Sequence, residues 1–217
     1  MSATILVINP NSNQAVTDGL DAALHGFRHP GGPKIECVTL AEGPFGIESQ
    51  LDSDAVALPL ARLVQARDDA SAYILACYSD PGLDACRSVT RKPVFGIQEA
   101  GALSAMARAD RFGVVAISDR SILRHRLHLR RMGVLDRLAG ERALNISVDE
   151  SARGEGTFAR LLDIGALLIG DGAEALVLGC AGLARHRAPL QARLGVPVID
   201  PTQAAVAMAL GAVLADG

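Results

Sequence analysis

The sequence predicts an α/β protein made of two similar parallel-sheet halves, and three observations predict it. Short runs of Val, Ile and Leu alternate with helical patterns along all 217 residues. The runs are apolar at successive positions, which marks strands covered on both faces rather than half-buried ones. Finally, the second half of the chain repeats the pattern of the first.

Taken in order, the first strand is expected over Thr4–Ile8. The turn-forming Asn9-Pro10-Asn11-Ser12-Asn13 then leads into a helix over Ser12–Leu24. Ile35–Leu40 reads as a strand and Asp52–Asp69 as one long helix. Ala72–Cys77 is a strand ending on a cysteine. Asp80 stands at the N-cap and Pro81 at the first position of a helix over Pro81–Ser88. Strand Pro93–Ile97 and the Ala-rich helix Glu99–Ala107 close the first half. The second half reads as strand Phe112–Ile117, helix Arg120–Met132, strand Leu144–Val148 and helix Gly156–Ile169. It ends with strand Ala175–Leu178, helix Leu183–Ala192, strand Val196–Ile199 and helix Thr202–Leu214.

The repeat is visible in particular residues. Ala76-Cys77 is followed by a turn, a helix and Pro93-Val94; Gly179-Cys180 is followed by a turn, a helix and Pro197-Val198. The Cys-to-Pro spacings are 16 and 17 residues. Ile5-Leu6-Val7-Ile8-Asn9 is echoed by Val114-Val115-Ala116-Ile117-Ser118. The halves are therefore set at residues 1–109 and 110–217, with the C-terminal helix free to pack back onto the first. Two such halves, related by a pseudo-two-fold, enclose a cleft at the carboxyl ends of their strands, where open α/β sheets bind ligands.

Composition narrows the function. Hydrophobic residues make up 49 % and charged residues 21 %, as in a folded globule. Aromatics are 3 % and the net charge is -3, which argues against nucleic acid and anionic membrane as partners and leaves a small-molecule substrate. There is no run of about 20 apolar residues for a membrane span and no signal-peptide pattern, so the protein is expected in the cytoplasm. There, Cys37, Cys77, Cys86 and Cys180 are expected as free thiols. No CxxC, HExxH or paired His/Cys spacing offers a metal site, and no phosphate-binding glycine loop is present, so neither metal nor cofactor is expected.

Cys77 and Cys180 are the candidate catalytic residues. Each ends a strand and precedes a helix start, whose partial positive charge and free N–H groups favour the thiolate. A lone cysteine on a strand is more often a small buried hydrophobe, which is how Cys37 and Cys86 are read. Two at equivalent places of a repeat point to paired chemistry. One sulfur, as thiolate, removes a proton from a carbon acid and the other, as thiol, returns one to the opposite face. The resulting carbanion needs hydrogen-bond donors. The loop around Asn11 and the segment from Ser118 to Ser121 supply them at the ends of matching strands. Asp80 is read as a helix cap, because an ionised carboxylate beside Cys77 would oppose thiolate formation.

The ordered set Ile8-Asn9-Pro10-Asn11-Ser12, Cys77-Tyr78-Ser79-Asp80-Pro81-Gly82-Leu83, Gly96-Ile97-Gln98-Glu99-Ala100, Leu178-Gly179-Cys180-Ala181-Gly182-Leu183 and Pro197-Val198-Ile199-Asp200-Pro201 spans nearly the whole chain. It resembles the Asp/Glu/hydantoin racemase superfamily, and within it the hydantoin and allantoin racemase branch. The resemblance implies two flavodoxin-like halves and cofactor-independent racemisation by Cys77 and Cys180. It also implies substrate held by Asn11, by Tyr78 and Ser79, and by the backbone at Ala181 and Gly182, and assembly as a homo-oligomer. Ala181-Gly182 after the second cysteine departs from the Thr-His of glutamate-type members, and Cys77 departs from arylmalonate decarboxylase-like members, which keep only the second cysteine. Ala116-Ile117, followed by Ser118, stands where the family usually carries two threonines. The alternatives are an aspartate- or glutamate-type amino-acid racemase and a maleate isomerase-like enzyme, with a non-enzymatic small-ligand binding protein behind them. The basic helix from Arg120 to Arg131 reads as a solvated face or oligomer contact, with recognition of a substrate carboxylate as the other reading.

Overall fold

The computed structural model describes residues 3–215. Its eight strands form two four-stranded parallel sheets. The first holds β1 (Thr4–Asn9), β2 (Lys34–Thr39), β3 (Ala72–Leu75) and β4 (Val94–Gly96) in the order β2-β1-β3-β4. The second holds β5 (Phe112–Ala116), β6 (Leu138–Ala143), β7 (Ala175–Gly179) and β8 (Val198–Ile199) in the order β6-β5-β7-β8. The two orders coincide when β5 is laid on β1, so the repeat in the sequence is a repeat of topology.

The central strands are apolar on both faces because both are covered. In β1, Ile5 and Val7 join a core shared with the second half. Leu6 and Ile8 join a separate cluster with Leu60 and Val64 of α3 (Ala57–Ala66) and Leu83 of α4 (Leu83–Ser88). The C-terminal helix, α10 (Pro201–Ala215), packs on α5 (Ile97–Met106) and on β3, that is, on elements of the first half.

Several expected elements need correction. The long helix over Asp52–Asp69 is two: α2 (Gln50–Ala55), opened by a capping box between Ser49 and Asp52, then α3 after Val56. The helix expected from Leu183 begins as a 3₁₀ turn over Ala181–His186 before α9 (Arg187–Leu194). The expected strand at Leu144–Val148 is absent. The strand is six residues earlier, at β6, an edge strand whose Gly140-Glu141-Arg142 is too polar to look buried. Leu144 and Ile146 still donate N–H bonds to the carbonyls of Ala116 and Ile117. Asn145, at φ +53°, then turns the chain, and Ser147 caps a helix absent from the sequence reading, α7 (Val148–Arg153).

No helix among the described residues is long and apolar enough to cross a membrane.

Candidate active site

The cleft lies where the two central strands of each sheet end. Asn11 follows β1, Cys77 follows β3, Ile117 follows β5 and Cys180 follows β7. All four line one cavity of about 30 Å³. Tyr78, Ser79 and Ala181 line it too. Ser118 does not; the hydroxyl that reaches the cavity from that turn is Ser121, one helical turn on in α6 (Asp119–Arg131). Gly182 also lies outside the lining, and its part is to donate its N–H to the sulfur of Cys180.

The two thiols have matching surroundings. The N–H of Ser79 reaches the sulfur of Cys77 as that of Gly182 reaches Cys180, both two residues on. These donors favour thiolate, as the sequence predicts, but burial outweighs them. Burial pushes Cys77 up to about 12, and the charge of Asp80 adds to the push, while Arg124 on α6 opposes it. Cys180 is also raised by burial, against the hydroxyl of Ser151 and the N–H of Gly182. The expectation of depressed thiol pKa values is therefore corrected: the short turns at these sites supply one N–H per sulfur, too little to offset removal from water.

Asn11 is held by its neighbours. Its Oδ1 accepts from Asn9 Nδ2 and from the N–H of Asn13, both at 3.0 Å, which leaves its Nδ2 as the donor for a ligand. Asp80 does cap a helix, but not its own. Its Oδ1 and Oδ2 accept the N–H groups of Gln98 and Glu99 at 2.8 and 3.0 Å, at the start of α5, and α4 begins on Gly82 with no side-chain cap. The segment Cys77–Gly82 is thereby pinned to the first half.

Sequence reasoning missed the layer beneath. His125, buried on α6, meets Glu141 of β6 with Nδ1 and Oε1 2.5 Å apart. The Tyr78 ring stands edge-on to His125 with centroids 4.9 Å apart, and Gln98 Nε2 donates to the His125 carbonyl. Arg124 and His125 both line the cavity, so the basic helix is not wholly a solvated face. Ser151, on α7, was also missed; the pair Ser147 and Glu150 at capping-box spacing was the signal for its helix. Among the described residues, no group of three or more His, Cys, Asp or Glu is arranged to hold a metal ion.

Comparison with known proteins gives a consistent picture. The profile of the Asp/Glu/Hydantoin racemase family matches residues 5–209. A hydantoin racemase from Paenarthrobacter aurescens is 37 % identical over 213 residues, 94 % of this chain and 89 % of that protein. The structure of allantoin racemase from Klebsiella pneumoniae superposes with a TM-score of 0.93 at 32 % identity, over 99 % of this chain and 89 % of that one. Allantoin racemase from Pseudomonas fluorescens gives the same TM-score at 29 % identity, over 98 % and 92 %.

Proposed function

The chain belongs to the Asp/Glu/hydantoin racemase family and is an isomerase, and from that premise we propose that it racemises a 5-substituted hydantoin or allantoin through Cys77 and Cys180. The observation that carries the reading is the placement of the two thiols at equivalent strand ends of the two sheets, lining one cavity.

The chemistry follows from that placement. The C5–H of a hydantoin is acidified by the adjacent carbonyl. The thiolate of one cysteine takes the C5 proton, and the electron pair of that C–H bond delocalises onto the carbonyl oxygen. The thiol of the other cysteine gives its proton to C5 from the opposite face. The pair ends with its protonation states exchanged and is reset through solvent. Asn11 Nδ2 and Ser79 are the donors for the enolate oxygen, the Ser121 hydroxyl being given to the Ser118 carbonyl. Val16, Ile47, Ile117 and Val148 form the apolar wall for the 5-substituent. No cofactor enters this scheme.

The test follows ¹H NMR of each pure enantiomer in D₂O, after a polarimetric screen of hydantoins, allantoin, aspartate and glutamate. Cys77→Ser and Cys180→Ser should each abolish inversion, since a serine hydroxyl is too weak a base to replace a thiolate. Each variant should still wash deuterium into one enantiomer, and the two variants into opposite ones. Inversion by either variant at close to the wild-type rate would overturn the two-thiol reading.

A further inference from the structure

The two sulfurs match in their backbone donors but not in their side-chain partners. Ser151 Oγ is 3.3 Å from Cys180 Sγ and 2.6 Å from the Val148 carbonyl, and Ser151 is fully buried. For Cys77, the N–H of Ser79 is the hydrogen bond that favours the thiolate, and among the described residues no side-chain hydroxyl is hydrogen-bonded to its sulfur. Room for Ser151 is made by Gly182: a Cβ there would lie 2.4 Å from Ser151 Oγ. One missing side chain thus lets α7 bring its hydroxyl onto the sulfur.

A hydroxyl has one proton to donate and two lone pairs to accept with. While Cys180 is a thiol, Ser151 gives its proton to the Val148 carbonyl and accepts the S–H. Once Cys180 is a thiolate, the sulfur has only acceptor capacity, and the contact is kept only if the Ser151 O–H swings from Val148 to the sulfur. Hydrogen bonds to charged acceptors are about twice as strong as neutral ones, and burial sharpens the difference. Other groups near Cys180 do not do this. Glu48 and Asp200 face it as carboxylates and oppose its ionisation. Cys77, Tyr78, Arg124 and His125 share the cavity, and of these Arg124 acts on Cys77.

We propose that Ser151 selects Cys180, rather than Cys77, as the sulfur of the pair that ionises first, by turning its O–H from the Val148 carbonyl onto the sulfur. The proposal rests on the two-thiol reading above, so its primary test does not depend on turnover.

That test is the rate of iodoacetamide alkylation of each cysteine across pH 6–10, read peptide by peptide by mass spectrometry. In Ser151→Ala, the Cys180 rate at pH 7.5 should fall about tenfold, the size expected for one hydrogen bond to a charged group. The Cys77 rate should stay the same or rise. Gly182→Ala, which displaces the hydroxyl while leaving it in the chain, should act in the same direction. Unchanged Cys180 profiles in both variants, or parallel losses at Cys77 and Cys180, would overturn the proposal. Turnover gives a second readout. Racemisation has an equilibrium constant of one, so kcat/KM must fall equally in both directions. The primary deuterium effect should instead grow only in the direction where Cys180 takes the proton; equal growth in both directions would count against Ser151. If the cysteine variants still invert substrate, the two-thiol function fails, and the alkylation profiles still decide the role of Ser151.

Discussion

Cys77 sets burial against chemistry. Held at about 12 by desolvation, it is neutral near pH 7, and when it does ionise it is a stronger base than an ordinary thiolate. Cys180 is displaced in the same direction. Since both pKa values are raised, the reactive thiolate form is scarce at neutral pH and grows about tenfold per pH unit below the pKa. We therefore expect kcat/KM to climb close to tenfold from pH 6 to 7 and again from 7 to 8, until the substrate's own imide ionises. A flat profile over that range would show that one sulfur is already ionised. Both cysteines were legible in the sequence because the repeat marked them twice. Ser151, His125 and Glu141 were not, because each has its partner on another element: Ser151 meets Cys180 from 29 positions away, and His125 meets Glu141 across 16. Nothing local in the chain announces such a pairing.

Among the elements, the head of α5 depends on a loop that the sequence ties to another helix. Asp80 reads as the cap of the helix that follows it, and its short-range pattern is that of an N-cap. Asp80 itself, at φ +42°, and Gly82, at φ +68°, reverse the chain and aim the carboxylate at α5 instead. Burial pushes Asp80 up to about 7. Its charge is partly compensated by the two N–H groups it accepts and by the N-terminal end of the helix. Gly96 is what allows this: a Cβ there would lie 2.2 Å from the Asp80 carboxyl carbon. Gly96→Ala should therefore remove the cap, worth about 1–2 kcal/mol. At about 2–4 °C per kcal/mol for a chain of this size, Tm should drop by several degrees. Racemisation should fall with it, because Cys77 rides on the same loop. An unchanged Tm in differential scanning calorimetry would mean that the loop moves aside without loss. The misread β6 and α7 fail for a related reason. The apolar run Leu144, Ile146 and Val148 is buried as its composition suggests. Its partners, however, are the end of β5 and the cavity, not a continuous ladder.

At the scale of the whole molecule, two copies of one topology face each other, and the cavity between them is narrow. About 30 Å³ holds a water or two, far below the roughly 300 Å³ at the small end of ligand pockets. A hydantoin needs more room than that, so the segments over the cavity are expected to part, and few contacts join them. Ile47 and Val148 line it from opposite halves. Beside them Val148 donates its N–H to Glu48 Oε1 at 3.3 Å, and Asn13 Nδ2 donates to Asp149 Oδ1 at 3.1 Å. Few, polar and partly exposed contacts of this kind break at small cost. The same α7 carries Ser151, so separation of the loop around Ile47 from α7 would open the site and disturb the hydroxyl on Cys180 together. A Cβ built on Gly46 lies 3.1 Å from Val148 Cβ, within a few tenths of an ångström of disulfide range. In the double variant Gly46→Cys/Val148→Cys, oxidation should tie the two halves shut. Turnover should then be lost, and dithiothreitol should restore it to the level of the never-oxidised protein. Peptide mapping identifies the bridge and separates it from a bond to Cys180. Tm should rise in the oxidised form, because a cross-link over about 100 residues contributes up to about 5 kcal/mol, and that rise distinguishes locking from unfolding. Equal rates for the oxidised and reduced forms would place the substrate's route elsewhere in the molecule.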